Sequence, residues 1–181
     1  MKYRISKAYI INIDTLCPGM PESRKLYDLV VYGATGYTGQ FVTEEVAKVA
    51  SLEQKKGQSL TWAIAGRNKE KLSNVLKSSG KHIGFDLENI PIIEADNTRK
   101  ETLSEMASKA NVVINCVGPY QIYGEDVVKA CVKNGANHVD ISGEPQFLEG
   151  MQLKYEKAAE EAGVHIVGAC GFDSVPVDVG M

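Results

Sequence analysis

The chain lacks the features by which several classes of protein are recognised. No stretch approaches the roughly 18 uninterrupted apolar residues that a membrane-spanning helix needs, so insertion into a bilayer is not expected, while peripheral attachment stays open. There are only four cysteines, Cys17, Cys116, Cys131 and Cys170. None forms a C-x-x-C pair, which argues against a zinc site or any other metal, and against a disulfide framework. Three lie in apolar runs, so reduced, mostly buried thiols in a reducing compartment are expected. Positive charge is not in excess, since 20 Lys and Arg stand against 23 Asp and Glu for a net charge of −3. That balance argues against a nucleic-acid partner held by bulk charge. Internal repeats and low-complexity segments are also missing. What remains is 181 residues, 44% hydrophobic and 24% charged, which is ordinary globular usage and enough for one domain with a substantial core.

The most informative segment runs from Tyr27 to Val42. A short apolar run, Leu29 to Tyr32, enters the turn Gly33-Ala34-Thr35-Gly36-Tyr37-Thr38-Gly39 and continues as a helix. In a dinucleotide-binding turn the first glycine allows the tight turn off the strand, the second lets backbone approach a pyrophosphate, and the third lets the helix pack on the strand. The helix N-terminus then offers unpaired N–H groups and the positive end of its dipole to phosphates. The spacing is G-x-x-G-x-x-G rather than G-x-G-x-x-G, a variant found in NADP-using dehydrogenase-type proteins.

From Leu26 the pattern alternates strand and helix. It predicts strands over Leu26–Tyr32, Leu60–Ala65, Pro91–Ala95, Val112–Val117, His138–Ile141 and Val164–Ala169. These runs are rich in Val, Ile and Ala with little alternation, as parallel strands covered on both faces should be. Helices are predicted over Thr38–Ala50, Lys69–Lys77, Arg99–Ala110, Glu125–Asn134 and Leu148–Ala162, several stopping at a glycine: Gly80, Gly135 and Gly163. The connection Lys81–Asn89 is the least defined. The expected fold is α/β: a doubly wound, mostly parallel six-stranded Rossmann sheet, ordered 3-2-1-4-5-6. Residues 1–25 do not fit this pattern and read as an atypical N-terminal extension, with residues 26–181 forming the dinucleotide domain. Met1 to Lys7 is basic and the following segment apolar, but Asn12 and Asp14 interrupt it too early for a secretory signal.

The second strand decides between the two nicotinamide cofactors. An NAD enzyme places Asp or Glu at its end to hold the ribose 2′-hydroxyl. Here the sequence reads Gly66, Arg67, Asn68, Lys69, with no acid before Glu70. A carboxylate would repel a 2′-phosphate, whereas Arg67 offers a planar, two-pronged donor set. NADP (NADPH) is therefore the expected cofactor, bound by Gly33, Ala34, Thr35, Gly36, Tyr37, Thr38, Gly39, Arg67 and Asn68. Asp96 ends the third strand near the expected adenine edge, and Asp96, Asn97 or Thr98 is expected to cap the next helix. Asn115 and Gly118 end the fourth strand, where backbone passes close under the cofactor ribose, with Tyr120 reaching towards the nicotinamide. Candidates for direct chemistry at this edge are Tyr120, Asp140, Glu144 and Asp173, with Tyr123, Ser142 and Ser174 beside them. Each has a plainer alternative as a cap or loop residue. His138 reads as structural, His165 as a packed or edge residue of the last strand, and His82 as a loop residue. A short-chain dehydrogenase would need Tyr-x-x-x-Lys downstream of the glycine turn; the only such pair, Tyr3 and Lys7, lies upstream.

Five motifs occur in order: the glycine turn Gly33–Gly39, Ala65-Gly66-Arg67-Asn68, Asn115 to Tyr120, Asp140 to Gln146, and Gly171 to Pro176. Together they resemble the saccharopine dehydrogenase-like oxidoreductases, a group related to trans-acting enoyl reductases, over about Leu26 to Met181. The resemblance implies an NADP-binding Rossmann domain and oxidoreductase chemistry on a small-molecule or lipid-like substrate in lipid metabolism. It further implies a cytoplasmic protein associated with lipid droplets or mitochondria, and leaves a homo-oligomer open. Family members continue into a second, substrate-binding domain. That domain is absent here, so the chain is expected to be a C-terminally truncated form whose active site is incomplete. A non-catalytic NADP-binding module is the alternative reading.

Overall fold

The computed structural model describes residues 25–179; apart from Lys25, the expected N-terminal extension lies outside the described residues. Six strands are formed: β1 (Tyr27–Tyr32), β2 (Trp62–Gly66), β3 (Ile92–Glu94), β4 (Ala110–Asn115), β5 (Asn137–Asp140) and β6 (Ile166–Val167). They are parallel throughout and ordered β3-β2-β1-β4-β5-β6. The helices are α1 (Tyr37–Lys55), α2 (Lys69–Ile83), α3 (Lys100–Lys109), α4 (Tyr120–Asn134), α5 (Pro145–Ala162) and α6 (Val175–Val179). This is the doubly wound sheet expected from the sequence, and its order reverses between β1 and β4; in such sheets the crevice at the C-terminal strand ends of this switch point takes the ligand.

The run Val30-Val31 shows why β1 is central. Val30 packs with Ala63, Leu103 and Met106 on the α3–α4 face. Val31 packs with Ile64, Leu72 and Leu76 on the α1–α2 face. Both valines are fully buried, and burying each such side chain contributes about 1.5–3 kcal/mol. A polar residue at either position would break one layer. A third cluster, Tyr120, Val128, Phe147 and Met151, joins α4 to α5.

Several boundaries differ from the sequence-based expectation. Helix α2 does not stop at Gly80 but runs on to Ile83 and ends at Gly84, which adopts the left-handed conformation (φ 73°). Gly80 is needed inside the helix for space: a Cβ there would lie 2.6 Å from the Phe85 carbonyl oxygen, as the chain folds back to donate the Phe85 N–H to the Gly80 carbonyl. Helix α4 starts at Tyr120 rather than Glu125, and β6 is two residues long rather than six. The expected cap of α3 by Asp96, Asn97 or Thr98 is not formed, because Arg99 occupies the cap position without a side-chain bond. Asp96 instead accepts the N–H and hydroxyl of Thr98, each at 2.9 Å, in a turn of its own. His82 belongs to α2, not a loop, and lies 3.0 Å from Glu44 of α1. His165 is exposed and precedes β6. Of the thiols expected to be mostly buried, Cys131 is buried, Cys116 is partly buried and Cys170 is exposed.

Candidate dinucleotide-binding site

At the mouth of the β1–β4 crevice the glycine turn has the geometry its spacing predicts. Gly33 has φ 85°, a left-handed conformation that a side chain would strain. A Cβ on it would also lie 2.6 Å from Val117. Its N–H and that of Ala34 both reach the Ala65 carbonyl, which ties the turn to the end of β2. Gly39 lies directly against the turn. Gly36 is exposed and forms the N-cap of α1 with no side chain to close it. The intrahelical bonds of α1 begin with Gln40 donating to Gly36, so the N–H groups of Tyr37, Thr38 and Gly39 have no partner within the helix. An uncapped N-terminus reached through side-chain-free backbone is a cradle for phosphate, and the residues present therefore fit a dinucleotide.

The residues expected to meet the adenosine half follow β2 and β3. Arg67 follows β2 directly and is exposed, with no ion pair to another described residue. The neighbouring Arg99 differs, because it is engaged by Glu94. Asn68 caps α2, its Oδ1 accepting the Lys71 N–H at 2.9 Å. The Asp96 carboxyl is held below its ordinary pKa, first by the Thr98 N–H and hydroxyl and to a smaller extent by Arg99 and Arg67. A bridge not foreseen from sequence crosses the floor of this region. The Tyr32 hydroxyl donates to Asn97 Oδ1, and Asn97 Nδ2 donates to the Tyr123 carbonyl at 2.6 Å. Burial raises the pKa of Tyr32, so the hydroxyl stays protonated and available to donate.

At the other end, the candidates for chemistry fall into two groups. Tyr120 does not reach into the crevice. It is buried, packs its ring against Phe147 at 5.6 Å and donates its hydroxyl to the Asn115 carbonyl at 3.0 Å. Glu144 accepts the backbone N–H groups of Tyr120 and Gln121, both at 2.8 Å. Asp140 is buried at the end of β5, where Oδ1 accepts the N–H of Ser142 at 2.9 Å and of Ala169 at 3.3 Å. Its carbonyl accepts the Cys170 N–H at 2.7 Å. Ala169 is held at φ 57°, so Asp140 fixes a strained turn. Asp173, by contrast, is exposed in the turn before α6, and Gly118 is exposed beside Pro119. Cys116, just past β4, is partly buried, and burial pushes its thiol up to about 11. It is therefore protonated and a poor nucleophile at neutral pH.

Behind this edge lies a buried polar group with little trace in the sequence. Asn115 Oδ1 accepts the Val117 N–H at 3.0 Å, which orients the amide so that Nδ2 faces His138 Nε2 at 3.4 Å. His138 Nε2 is then the acceptor and Nδ1 carries the proton. Nδ1 has no hydrogen-bond partner and stands 3.8 Å from Asp140 Oδ2. Burial lowers the His138 pKa to about 4, so the ring is neutral, and burial raises that of Asp140. Period-2 spacing puts His138 and Asp140 on one face of β5, which was the only local clue.

Comparison with known proteins agrees with this geometry. A family model described as the saccharopine dehydrogenase NADP binding domain matches residues 29–167. A human saccharopine dehydrogenase-like oxidoreductase is 50% identical over 164 residues, covering 90% of this chain and 38% of that protein. A Caenorhabditis elegans protein named lipid droplet localized protein is 53% identical over 155 residues, covering 86% of this chain and 35% of that protein. Among solved structures, saccharopine dehydrogenase (L-Glu forming) from Saccharomyces cerevisiae shares the fold, with a TM-score of 0.58 at 20% identity over 81% of this chain and 28% of that one. The fold and the matching family model define an NADP-binding domain of the Rossmann type. The chain belongs to the saccharopine dehydrogenase-like family, and it spans less than two fifths of the length of these curated relatives.

Proposed function

We propose that this chain is the cofactor-holding part of an NADPH-dependent oxidoreductase acting on a lipid-like substrate. The observation that carries the reading is Arg67: an exposed guanidinium at the end of β2, without an ion pair among the described residues, where an NAD protein carries an acid. In this reading Arg67 grips the 2′-phosphate, with Asn68 fixing the start of α2 beside it. Gly33 to Gly39 receive the pyrophosphate, and Asp96 borders the adenine. Asn115 orders the turn ending in Gly118, over which the ribose rests. When bound, NADPH supplies a hydride at its nicotinamide. Tyr120, Asp140 and Glu144 shape that end through backbone hydrogen bonds, which leaves Asp173, of the four candidates, as the one whose exposed carboxyl meets a substrate directly.

The name of the worm relative places that protein at lipid droplets, and the lipid-like substrate and a cytoplasmic location at lipid droplets are inferred from that location. No helix among the described residues is long and apolar enough to cross a membrane. A mitochondrial location is the second one implied by the family resemblance. A second functional reading, a non-catalytic NADP-binding module, is favoured by the engagement of Tyr120, Asp140 and Glu144 in holding backbone. The two separate by NADPH consumption with a long-chain enoyl or carbonyl compound, measured on this chain and on the chain extended to the length of its relatives. Consumption that requires the lipid supports the enzyme. Binding without consumption by either form supports the module.

A further inference from the structure

Helix α4 begins immediately after the turn that follows β4, and its start is not closed by its own sequence. Pro119 holds the cap position with no side-chain bond, and the first N–H groups of a helix have no intrahelical acceptor. The acceptor comes from elsewhere in the chain. Glu144, in the connection between β5 and α5, places Oε1 2.8 Å from the Tyr120 nitrogen and Oε2 2.8 Å from the Gln121 nitrogen. A carboxylate on two N–H groups at the positive end of a helix is a charge-assisted pair with a favourable dipole term. Neighbouring bonds fix the clasp on both sides. Gln121 Nε2 donates to Gln146 Oε1 at 3.0 Å, and the Glu144 N–H donates to Ser142 Oγ at 3.1 Å. Close approach of the two helices is allowed by Gly124, where a Cβ would lie 2.4 Å from the Phe147 ring.

The turn between β4 and α4 is therefore suspended between two anchors. On its β4 side the Asn115 side chain takes the Val117 N–H, and on its α4 side Glu144 takes the next two N–H groups after Pro119. In a sheet ordered β3-β2-β1-β4-β5-β6 this turn borders the crevice opposite Arg67. A dinucleotide lying across the switch point puts its adenosine half towards β2 and its nicotinamide half towards β4 and β5. We propose that Glu144 is a positioning residue for the nicotinamide half of NADPH, acting through the first turn of α4 to hold the Cys116–Pro119 turn where the nicotinamide ribose rests. The inference rests on the dinucleotide reading of the crevice. It assigns Glu144 no contact with the reacting atoms.

The test compares NADPH with adenosine 2′,5′-bisphosphate, which carries only the adenosine half, on the whole chain and on Glu144→Ala and Glu144→Gln. For Glu144→Ala the expected result is NADPH binding about tenfold weaker, with the bisphosphate changed by less than about twofold. Glu144→Gln keeps the shape and one acceptor oxygen; it should fall between wild type and Glu144→Ala for NADPH and match wild type for the bisphosphate. If Glu144→Ala fails to fold, the isosteric variant decides alone. Emission of the bound reduced nicotinamide should change in the variants, because that ring loses its fixed seat. Equal weakening of both ligands would mean that Glu144 supports the fold in general, and unchanged NADPH binding would mean that the turn needs no clasp; either overturns the proposal. Failure of the wild-type chain to bind either ligand would instead overturn the crevice reading beneath it.

Discussion

A side chain on Gly39 would have its Cβ 2.1 Å from the carbonyl oxygen of Gly33 and 2.8 Å from the Ala34 Cα. Both neighbours are backbone of the glycine turn, so neither can rotate away. Gly39→Ala must push α1 off the end of β1, and overpacking of this kind costs about 1–3 kcal/mol. The expected outcome is a Tm lowered by roughly 3–10 °C together with weaker NADPH binding, read by calorimetric unfolding and by titration.

Gly36 separates binding from stability. Its Cβ would meet only the Gly33 carbonyl oxygen, at 3.2 Å, and its φ of −75° suits any residue. Gly36→Val should therefore change stability far less than Gly39→Ala, by about 1 kcal/mol or less, yet abolish binding of NADPH and NADH by filling the approach to the α1 N-terminus. Retained affinity would show that the glycine run is only a turn.

Arg67→Ala tests the cofactor preference. The guanidinium has no structural partner among the described residues, so its removal should leave the Tm within a degree or two. NADPH binding should weaken by about ten- to a hundredfold while NADH binding stays nearly unchanged. Equal loss of both would assign the 2′-phosphate to another group.

His138 gives the fold a pH dependence with a definite sign. The ring's pKa falls from 6.5 to about 4 on folding, through burial. Between those values the unfolded chain binds a proton that the folded one does not, so stability is lost as pH falls from about 6.5 to about 4. The neighbouring Asp140 acts the other way, since its carboxyl is raised by burial and takes up a proton more readily when folded. His138→Gln removes only the first effect. Across that window the wild type should lose more stability than the variant, by up to about 3 kcal/mol, as measured by urea unfolding at stepped pH. Parallel pH profiles would show that the ring is not shielded from protonation.

Much of this was legible in the chain. The strands were legible as short apolar runs such as Val30-Val31 and Ala63-Ile64-Ala65, because parallel strands buried on both faces write that pattern directly, and their order followed from the alternation of strand and crossover helix. The packing of the glycine turn was legible because a tight turn and a close helix each demand glycine at a fixed offset, and the sequence alone put Arg67 directly after β2. The nicotinamide end was not. Tyr120 was expected to point into the crevice, yet its ring is drawn into the α4–α5 core by Phe147, and α4 opens at Pro119 without any local capping signal. Its cap comes from Glu144, 24 residues later, and a bond of that span leaves no periodic trace. Gly80 misled in the opposite direction, since a glycine required for close packing resembles a helix stop until the Phe85 turn is seen against it.

Binding of NADPH against NADH to this chain tests the central claim most directly. Calorimetry is the better readout, because Trp62 opens β2 at the edge of the sheet away from the crevice and is buried there. The account predicts binding of NADPH with NADH weaker by at least about tenfold, the difference disappearing in Arg67→Ala. Equal affinity for the two cofactors, or a preference for NADH, would contradict it.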